Sequence, residues 1–356
     1  MLVSFGDCKD ANEYLYKYGK EALYDVLSEA KEAPINGVSS VLDWNDEFDN
    51  YVSNGMKKGF ITGIKSFDNI FSTYTGQYIV VTGMPSSGKS DFVDQMCIGY
   101  NLKYGWKVAY ASPENMPYQI HAGKIMSKVC GRWINKLDFV GQSWYEQAKH
   151  YINDNYKFIN LEKFDLDTVL NTARSLVVKY GIKVLVIDPF NKVKLKGVDE
   201  NNLNLYTNSY LIKIDEFARA NDVLVILIAH PRKPDVNGSR GYKPTFYDVK
   251  GGGEFYDMSP HGIRVHRDYD HNLTEITTLK VKFSHLGENN KTIYTRWNQS
   301  NGRFMDFDEQ FFAPELMTSP IEDNDNWIIN NKTEQRIIWS GDDKVYNELP
   351  NADLPF

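Results

Sequence analysis

Residues 83 to 90 read GMPSSGKS, and this octet restricts the fold of the chain more than any other stretch. It directly follows the apolar run QYIVVTG and directly precedes a helical pattern of apolar residues. A turn between a strand and a helix N-terminus directs backbone N–H groups towards one point, where they can bind a phosphate. A glycine turn with a merely solvated lysine is the alternative. We expect nucleotide contacts from Gly83, Pro85, Ser86, Ser87, Gly88, Lys89 and Ser90.

The residue types in this loop predict that it binds ATP, or another NTP or dNTP, together with Mg²⁺. Gly83 and Gly88 supply backbone freedom, and Lys89 neutralises the β and γ phosphates. The Ser90 hydroxyl can bind the metal ion. The run KVLVIDPF brings Asp188 to the end of a strand, where parallel sheets bind ligands, so Asp188 is the expected second partner of Mg²⁺. An aspartate at a strand end is also a common helix cap, and the octet favours the metal role.

Strand-like runs alternate with helical patterns between residues 43 and 310, which predicts an α/β domain. The strands are near-continuous apolar runs, which indicates a mainly parallel sheet covered by helices on both faces. Two later strands, linked through SHLGENNK, predict an antiparallel extension. The predicted strands span residues 77–83, 106–112, 183–189, 222–230, 262–266, 276–283 and 292–297.

Two segments flank this domain. Residues 1–42 are predicted to form one or two helices, ended by Pro34 and Gly37. Residues 311–356 carry nine acidic residues against three basic ones, which is typical of a weakly ordered acidic tail. Most of the net charge of −7 therefore lies in the tail, and the near-neutral remainder does not exclude a nucleic-acid partner.

The cysteines and the hydropathy pattern exclude several classes of protein. Cys8, Cys97 and Cys130 show neither paired nor metal-ligand spacing, which argues against disulfides and a zinc site and indicates a reducing compartment. No apolar run approaches the roughly 18 residues that a membrane helix needs. We therefore expect a cytoplasmic protein that makes no membrane contact.

Hydrolysis needs a carboxylate near the attacking water, and Pro189 replaces the glutamate that usually follows the metal-binding aspartate. Glu114, in ASPENMP, closes the strand after the phosphate-loop helix. It would lie beside the γ phosphate if that strand and the phosphate-loop strand are neighbours. A surface glutamate that caps the next helix is the alternative. His230 ends the run VLVILIAH and is expected to sense the γ phosphate, with a purely structural histidine as the alternative.

Six stretches in this order resemble the RecA-type core of the hexameric replicative helicases, the DnaB and Twinkle group, and most closely the helicase half of phage primase-helicases. The stretches are GMPSSGKS, ASPENMP, VLVIDPFNKV, LIAHPRKP, TFYDVKGGGEFYDMSPHGIRVHRD and LKVKFSHLGENNKTIYTRWNQSNGRF. They cover about residues 60 to 308. The resemblance implies a RecA-like fold and a homo-oligomeric ring, usually a hexamer. It also implies nucleotide sites that a neighbouring subunit completes. The expected location is the cytoplasm of a bacterium or of a phage-infected host.

The resemblance also implies roles for four residues beyond the phosphate loop. Arg267, in RVHRD, is similar to an arginine that reaches the γ phosphate of the adjacent subunit. Lys280 and Lys282 match the family's Lys-x-Arg pair, although the second member here is lysine, which lacks the bidentate fork of arginine. We therefore expect Arg267 to carry the transition-state charge. Trp297 occupies the place of an aromatic residue that stacks on the base, and a buried strand residue is the alternative.

Basic and glycine-rich loops follow two of the strands, and in the resembling family such loops face the centre of the ring. Positive charge with unhindered backbone N–H groups suits a phosphate chain whose bases are not read. Each basic residue taken singly is more often only solvated. The predicted DNA contacts are Arg232, Lys233, Arg240, Lys243, Lys250, Gly251, Gly252 and Gly253.

Both ends of the chain also resemble known segments. GDCKDANEYLYKYGKEAL is similar to the close of a Toprim primase domain, which would make residues 21–33 a linker helix that docks on the neighbouring subunit. NADLPF is similar to the acidic tips of single-stranded-DNA-binding proteins, which implies contacts with a primase, a polymerase or a single-strand-binding protein. An inert tail is the alternative.

These observations together favour an NTP-dependent ring helicase that moves on single-stranded DNA, 5′ to 3′ by resemblance, and unwinds a forked duplex. A RecA-type recombinase, an NTP-gated DNA-binding scaffold or loader, and a packaging or signalling ATPase remain alternatives. The preferred NTP, the choice between hexamer and heptamer, and the presence of a fused primase are left open.

Overall fold

The computed structural model describes residues 2–30, 35–131, 133–134, 142–199, 201–232, 241–251, 253–299 and 301–306. The chain divides into two compact units, Met1–Lys57 and Lys58–Phe356. The sequence places the corresponding boundary earlier, after residue 42. The predicted acidic tail from residue 311 lies outside the described residues.

The first unit holds two helices. Helix α1 (Ala11–Ser28) begins after Asp10, whose carboxylate accepts hydrogen bonds from the backbone N–H groups of Asn12 and Glu13. Gly19 interrupts the helix with a φ of 86°. Helix α2 (Asn45–Asn54) follows a 3₁₀ turn over Val41–Trp44. The helix expected near residues 11–33 is therefore present, whereas α2 has no counterpart in the sequence-based prediction.

The second unit alternates strands and helices as the sequence predicts. Its helices are α3 (Lys65–Asp68), α4 (Lys89–Tyr104), α5 (Tyr118–Cys130), α6 (Gln142–Asn155), α7 (Leu166–Tyr180), α8 (Leu203–Asn221) and α9 (Gly253–Met258). Its strands are β1 (Tyr78–Thr82), β2 (Lys107–Ala111), β3 (Tyr156–Phe158), β4 (Ile182–Ile187), β5 (Leu224–Ala229), β6 (His261–Asp268), β7 (Leu273–Val281), β8 (Thr292–Trp297) and β9 (Phe304–Asp306). None of the described helices combines the length and the apolar character that crossing a membrane requires.

The strands form one sheet in the order β3-β2-β4-β5-β1-β6-β7-β8-β9. The six strands from β3 to β6 pair in parallel, and β7, β8 and β9 extend the sheet in antiparallel pairs. The prediction of a mainly parallel sheet with an antiparallel extension is confirmed. The short strands β3 and β9 were not predicted, because three residues are too few to show a hydrophobic period.

Helices cover both faces of the sheet, and alternate residues of β1 show how. Ile79 and Val81 pack in a core with Phe92 of α4. Tyr78 and Val80 pack on the other face in a second core, which α7 and α8 cover. Since the sheet is buried on both faces, its strands are apolar at nearly every position, as parallel sheets require.

Strands β1, β2, β4, β5 and β6 all end at one edge of the sheet, here called the phosphate-loop edge. The octet follows β1 there, and Gly88, in a left-handed conformation with a φ of 87°, starts α4. Gly83 passes so close to β6 that a Cβ atom would lie 2.1 Å from the carbonyl oxygen of Val265. Only glycine fits at this point, so the first residue of the octet is fixed by packing against β6.

Candidate nucleotide site

The lysine of the octet is buried and forms hydrogen bonds with the backbone of its own phosphate loop. Lys89 Nζ donates hydrogen bonds to the carbonyl oxygens of Gly83 at 2.9 Å and Met84 at 2.8 Å. Burial lowers the pKa of Lys89 to about 8, although the nearby carboxylates of Asp188 and Glu114 act in the opposite direction. The loop therefore presents a cation that is desolvated and already in place for a phosphate.

Ser90 and Asp188 meet as the sequence predicts. Ser90 Oγ donates to Asp188 Oδ2 at 2.7 Å, and Asn115 Nδ2 donates to the same oxygen at 2.8 Å. Asn115 also donates to Ser112 Oγ at 2.7 Å, which fixes its orientation. Burial raises the pKa of Asp188, and the Ser90 hydrogen bond opposes this. Asn115 was missed in the sequence, where it stands next to Glu114 at the end of β2 and could have been considered for that reason.

A hydroxyl and a carboxylate oxygen are the ligand types that Mg²⁺ prefers. Within the described residues, no group of three or more His, Cys, Asp or Glu side chains could hold a metal ion. A magnesium site with few protein ligands is typical where phosphate oxygens complete the coordination. Ser90 and Asp188 therefore fit Mg²⁺ that arrives with a nucleotide.

Glu114 and His230 lie together beside Lys89, but not for the reason that the sequence suggests. The expectation rests on β1 and β2 being neighbours, and this is wrong, because β4 and β5 lie between them. Glu114 Oε2 instead lies 3.6 Å from His230 Nε2 at the end of β5, the direct neighbour of β1. Burial and the charge of Lys89 lower the pKa of His230, which favours the neutral imidazole at pH 7.

The backbone after His230 is joined to the second predicted DNA loop. The carbonyl oxygen of His230 accepts from the N–H of Lys250 at 3.2 Å, and the N–H of Arg232 donates to Asp248 O at 2.7 Å. The side chains of Arg232 and Lys250 are exposed. Backbone hydrogen bonds therefore join the two predicted DNA loops to each other at the end of β5. Lys233, Arg240 and Gly252 lie outside the described residues.

Two of the predicted DNA contacts have structural reasons of their own. Gly251 is buried with a φ of 131°, and a Cβ atom there would lie 2.6 Å from Thr207 Oγ1. Close packing thus requires this glycine, and exposure of its N–H group to DNA is not needed to explain it. Lys243 Nζ lies 2.7 Å from Glu275 Oε2, so this cation is paired within the chain. Gly253 opens α9.

Arg267 lies at the phosphate-loop edge of its own chain. It lines a cavity of about 330 Å³ together with the loop residues Ser86 to Gly88 and the side chain of Trp297. Its guanidinium donates to Thr274 Oγ1 at 2.9 Å and lies 5.8 Å from the centroid of the Tyr269 ring. This position does not favour the expected contact of Arg267 with the γ phosphate of an adjacent subunit. Strand β6 pairs in parallel with β1 and therefore brings Arg267 to the phosphate loop that follows β1.

Tyr269 belongs to the same cavity and was not predicted. Its hydroxyl donates to the carbonyl oxygen of Ser86 at 2.6 Å, and its ring is 61% exposed. Trp297 is half-buried, which combines the two alternatives considered for it: one part of the ring packs on the core and another lines the cavity. The cavity thus has two aromatic rings and a guanidinium plane beside the loop, a set that suits a planar base.

Lys280 and Lys282 lie away from their own phosphate loop. Strand β7 runs antiparallel to β6, and its register places Lys280 opposite Gly262, level with Val80 in the middle of β1. The backbone N–H of Lys282 donates to Pro260 O, before β6 begins. The two lysines therefore lie away from the phosphate-loop edge of their own chain.

Three comparisons with known proteins agree with this geometry. The model of the family "ATPase: KaiC" matches residues 60–234. The chain is 32% identical over 317 residues to the Twinkle homolog protein, chloroplastic/mitochondrial, of Arabidopsis thaliana, covering 84% of this chain and 44% of the relative. It is 22% identical over 312 residues to the DNA helicase/primase of Enterobacteria phage T3, covering 83% of this chain and 54% of that protein. The chain thus spans about half the length of these relatives.

Solved structures show the same fold. One of them, an ATPase domain, superposes with a TM-score of 0.63 at 16% identity, over 76% of this chain and all of that one. A DnaB-like replicative helicase, solved in a study of its interactions with primase, superposes with a TM-score of 0.59 at 16% identity, over 84% of this chain and 74% of that one. The resemblance found in the motifs therefore extends to the sheet order and to the relatives, and the chain belongs to the RecA-type family of DnaB-like and Twinkle-like replicative helicases.

Proposed function

We propose that this chain is an NTP-driven motor that forms a ring, moves on single-stranded DNA in the 5′ to 3′ direction and unwinds a forked duplex. The observation that carries the proposal is the double connection of His230. Its imidazole lies 3.6 Å from Glu114 beside Lys89, and its carbonyl oxygen is bonded to Lys250 in the predicted DNA turn. A change at the γ phosphate therefore acts on the same residue that holds the DNA turn.

The chemical roles follow from the positions of the side chains. Lys89 and the loop N–H groups bind the β and γ phosphates, and Glu114 accepts a proton from the attacking water. His230, held neutral, reports on the γ phosphate through a hydrogen bond. Ser90 and Asp188 would hold Mg²⁺, which would supply positive charge to the phosphate oxygens.

The placement of the basic residues favours an oligomer of this chain, for which we propose a hexamer. Arg267, Tyr269 and Trp297 serve the nucleotide on their own loop, and Lys280 and Lys282 serve the nucleotide of the next subunit. Positive charge supplied by a neighbour stabilises the charge that develops on the transferred phosphoryl group. A separate monomer then hydrolyses NTP slowly, and ring formation activates it.

Four further expectations belong to the same proposal. The exposed basic side chains of Arg232 and Lys250 bind the DNA backbone without reading bases. A primase is a proposed partner, since one matched structure was solved in a study of helicase and primase. A polymerase or a single-strand-binding protein remains a proposed partner of the acidic tail. The cytoplasmic location stays a prediction, because the Arabidopsis relative is named chloroplastic/mitochondrial.

The decisive experiment measures NTP hydrolysis with and without single-stranded DNA, and the unwinding of forked duplexes that have either a 5′ or a 3′ tail. We expect DNA to stimulate hydrolysis and only a free 5′ tail to permit unwinding. Lys89→Ala should lower hydrolysis by roughly 10³-fold or more, because the phosphates lose their buried cation. Lys179→Ala, at an exposed position on α7, is the matched control and should retain full activity.

Other outcomes separate the alternatives. Strand exchange in filaments without fork unwinding would favour a recombinase. DNA binding with slow, unstimulated turnover would favour a scaffold or loader, and hydrolysis that ignores DNA would favour a packaging or signalling ATPase.

A further inference from the structure

Lys280, which the proposed function directs at a neighbouring subunit, is held by the end of α9. Its Nζ atom donates to the carbonyl oxygen of Tyr256 and to that of Asp257, the latter at 3.3 Å. The same atom lies 5.0 Å from the centroid of the Tyr256 ring. Terminal helix carbonyls and the face of an aromatic ring both attract an ammonium ion. These contacts hold the Lys280 side chain in one conformation rather than a range of solvated conformations.

The Tyr256 ring has a second neighbour, which belongs to the predicted DNA loop. Tyr247 stacks on it with ring centroids 4.8 Å apart and an angle of 23°. Tyr247 lies in the 3₁₀ turn Phe246–Asp248, immediately before Val249 and Lys250, and is 58% exposed. A stacked pair of rings therefore connects the loop that carries Lys250 with the lysine on β7.

The backbone gives a second connection between the same two places. Helix α9 begins at Gly253, three residues after Lys250. Its first turn is fixed by Phe255, which is fully buried and packs against Gly251. The buried Phe255 side chain thus ties Gly251, the residue after Lys250, to the helix that carries Tyr256.

We propose that Tyr256 is a positioning residue that holds Lys280 in reach of the neighbouring subunit's nucleotide and couples this position to the Lys250 turn. DNA bound at the Lys250 turn of one subunit then determines the position of the Lys280 ammonium group, which assists hydrolysis in the next subunit. The proposal deepens the proposed function and rests on it, since that function gives Lys280 its role between subunits.

The test compares Tyr256→Leu with Tyr256→Phe in the full chain. Leucine removes the aromatic face, whereas phenylalanine keeps it and loses only the hydroxyl. Tyr294→Leu is the matched control, because Tyr294 is an exposed tyrosine on β8. Two quantities are measured: the rate at which an amine-reactive acetylating reagent modifies Lys280, followed by mass spectrometry, and the ratio of NTP hydrolysis with and without single-stranded DNA.

For Tyr256→Leu we expect acetylation of Lys280 to become about three- to fivefold faster and the stimulation by DNA to fall by a similar factor, the range expected for loss of one cation–π contact. Tyr256→Phe and Tyr294→Leu should match the wild type in both measurements. A purely structural role of Tyr256 would change hydrolysis with and without DNA equally and would overturn the coupling. A Tyr256→Phe variant that behaves like Tyr256→Leu would overturn the role of the ring.

Lys280→Ala separates this proposal from the proposed function. If Lys280→Ala leaves DNA-stimulated hydrolysis intact while Tyr256→Leu still accelerates acetylation, the role of Lys280 between subunits fails and the positioning contact stands. If Lys280→Ala lowers hydrolysis and Tyr256→Leu changes neither measurement, the positioning contact fails and the proposed function stands. Should Tyr256→Leu not fold, Tyr247→Leu weakens the same stack from an exposed position and should change both quantities in the same direction.

Discussion

The parallel and antiparallel parts of the sheet deliver their functional side chains differently. In the parallel part, β2, β4 and β5 end at the phosphate-loop edge and bring Glu114, Asp188 and His230 together there. In the antiparallel part, β6 and β7 run in opposite directions, so that Arg267 and Lys282 lie at opposite edges although they are close in sequence. The parallel part thus brings its candidate site residues together at one edge, and the β6–β7 hairpin separates the cations of the antiparallel part between the two edges.

The two parts also differ in how they treat charge. Lys89 is 5% exposed, and because this burial makes its charge costly, its pKa falls to about 8. Lys280 is half-buried, and burial lowers its pKa against the opposing charge of Asp257. Removal of a group that contacts the phosphates or the attacking water should affect hydrolysis most, and removal of a cation in the antiparallel part should affect it less.

Among the substitutions that follow, Glu114→Gln has the largest expected effect. Glutamine keeps the size of the side chain and a hydrogen-bonding group near His230, but it cannot accept a proton from water. We expect kcat to fall by roughly 10²- to 10⁴-fold with little change in nucleotide affinity. Glu216→Gln, at an exposed position on α8, is the control for the loss of one carboxylate. A Glu114→Gln variant that retains half of the wild-type kcat would remove Glu114 from the chemistry.

The contrast between the two parts also explains how much the sequence could predict. The octet, Asp188 and His230 were identified because each ends an apolar run, and in a parallel sheet such ends meet whatever the order of the strands. Glu114 lies near His230 and Lys89 although the assumed strand order was wrong, because the ends of parallel strands meet at one edge in any order. The sheet order itself depends on packing between elements distant in sequence, which the local hydrophobic pattern does not record.

The antiparallel part was harder to predict for a physical reason. The direction and pairing register of a strand decide whether a residue lies near the phosphate loop or near the opposite edge of the sheet. Arg267 and Lys280 differ in this way because the chain reverses direction between β6 and β7. Tyr269 was missed because it lies in a turn whose place beside Ser86 depends on the β1–β6 pairing. Gly251 stays a predicted DNA contact, and its neighbours Thr207 and Phe255 show that packing also requires a glycine there.

The second prediction tests which cations act on their own chain. Increasing amounts of an Arg267→Ala or a Lys282→Ala chain are mixed with wild-type chain, and the NTP hydrolysis of the assembled protein is measured. We expect Arg267→Ala to raise KM roughly tenfold and its mixtures to show proportional activity, because the guanidinium lies at its own loop. Lys282→Ala should lower kcat by up to roughly a hundredfold and impair wild-type neighbours more than proportionally.

Lys291→Ala is the control for this mixing experiment. Lys291 forms a surface ion pair with Glu288 at 3.0 Å, a contact that is worth little, so its mixtures should behave like the wild type. The opposite result, with proportional mixing for Lys282→Ala and inhibition of neighbours by Arg267→Ala, would restore the expectation drawn from the sequence and contradict the separation of edges.

The smallest effect concerns the pH dependence that the burial of Lys89 imposes. The charged lysine binds phosphate, and the free protein loses this charge above its pKa of about 8. Nucleotide affinity should therefore be constant between about pH 7 and 8 and fall up to tenfold for each pH unit above 8, since binding then requires the uptake of a proton. The phosphates themselves stay ionised throughout this range and do not contribute.

The stability of the nucleotide-free protein supplies an independent check with the opposite sign. A lysine whose pKa is depressed in the fold costs stability while it is charged, so the Lys89 contribution should make the protein more stable as the pH rises from about 8 towards 10.5. Comparison with Lys89→Met, which keeps the aliphatic stem and has no charge to bury, isolates this contribution in thermal unfolding. If affinity and stability change in the same direction above pH 8, or if Lys89→Met shows the same pH profile as the wild type, then the burial of Lys89 does not control the charge at the site. The contrast with the less buried cations of the antiparallel part then loses its electrostatic basis.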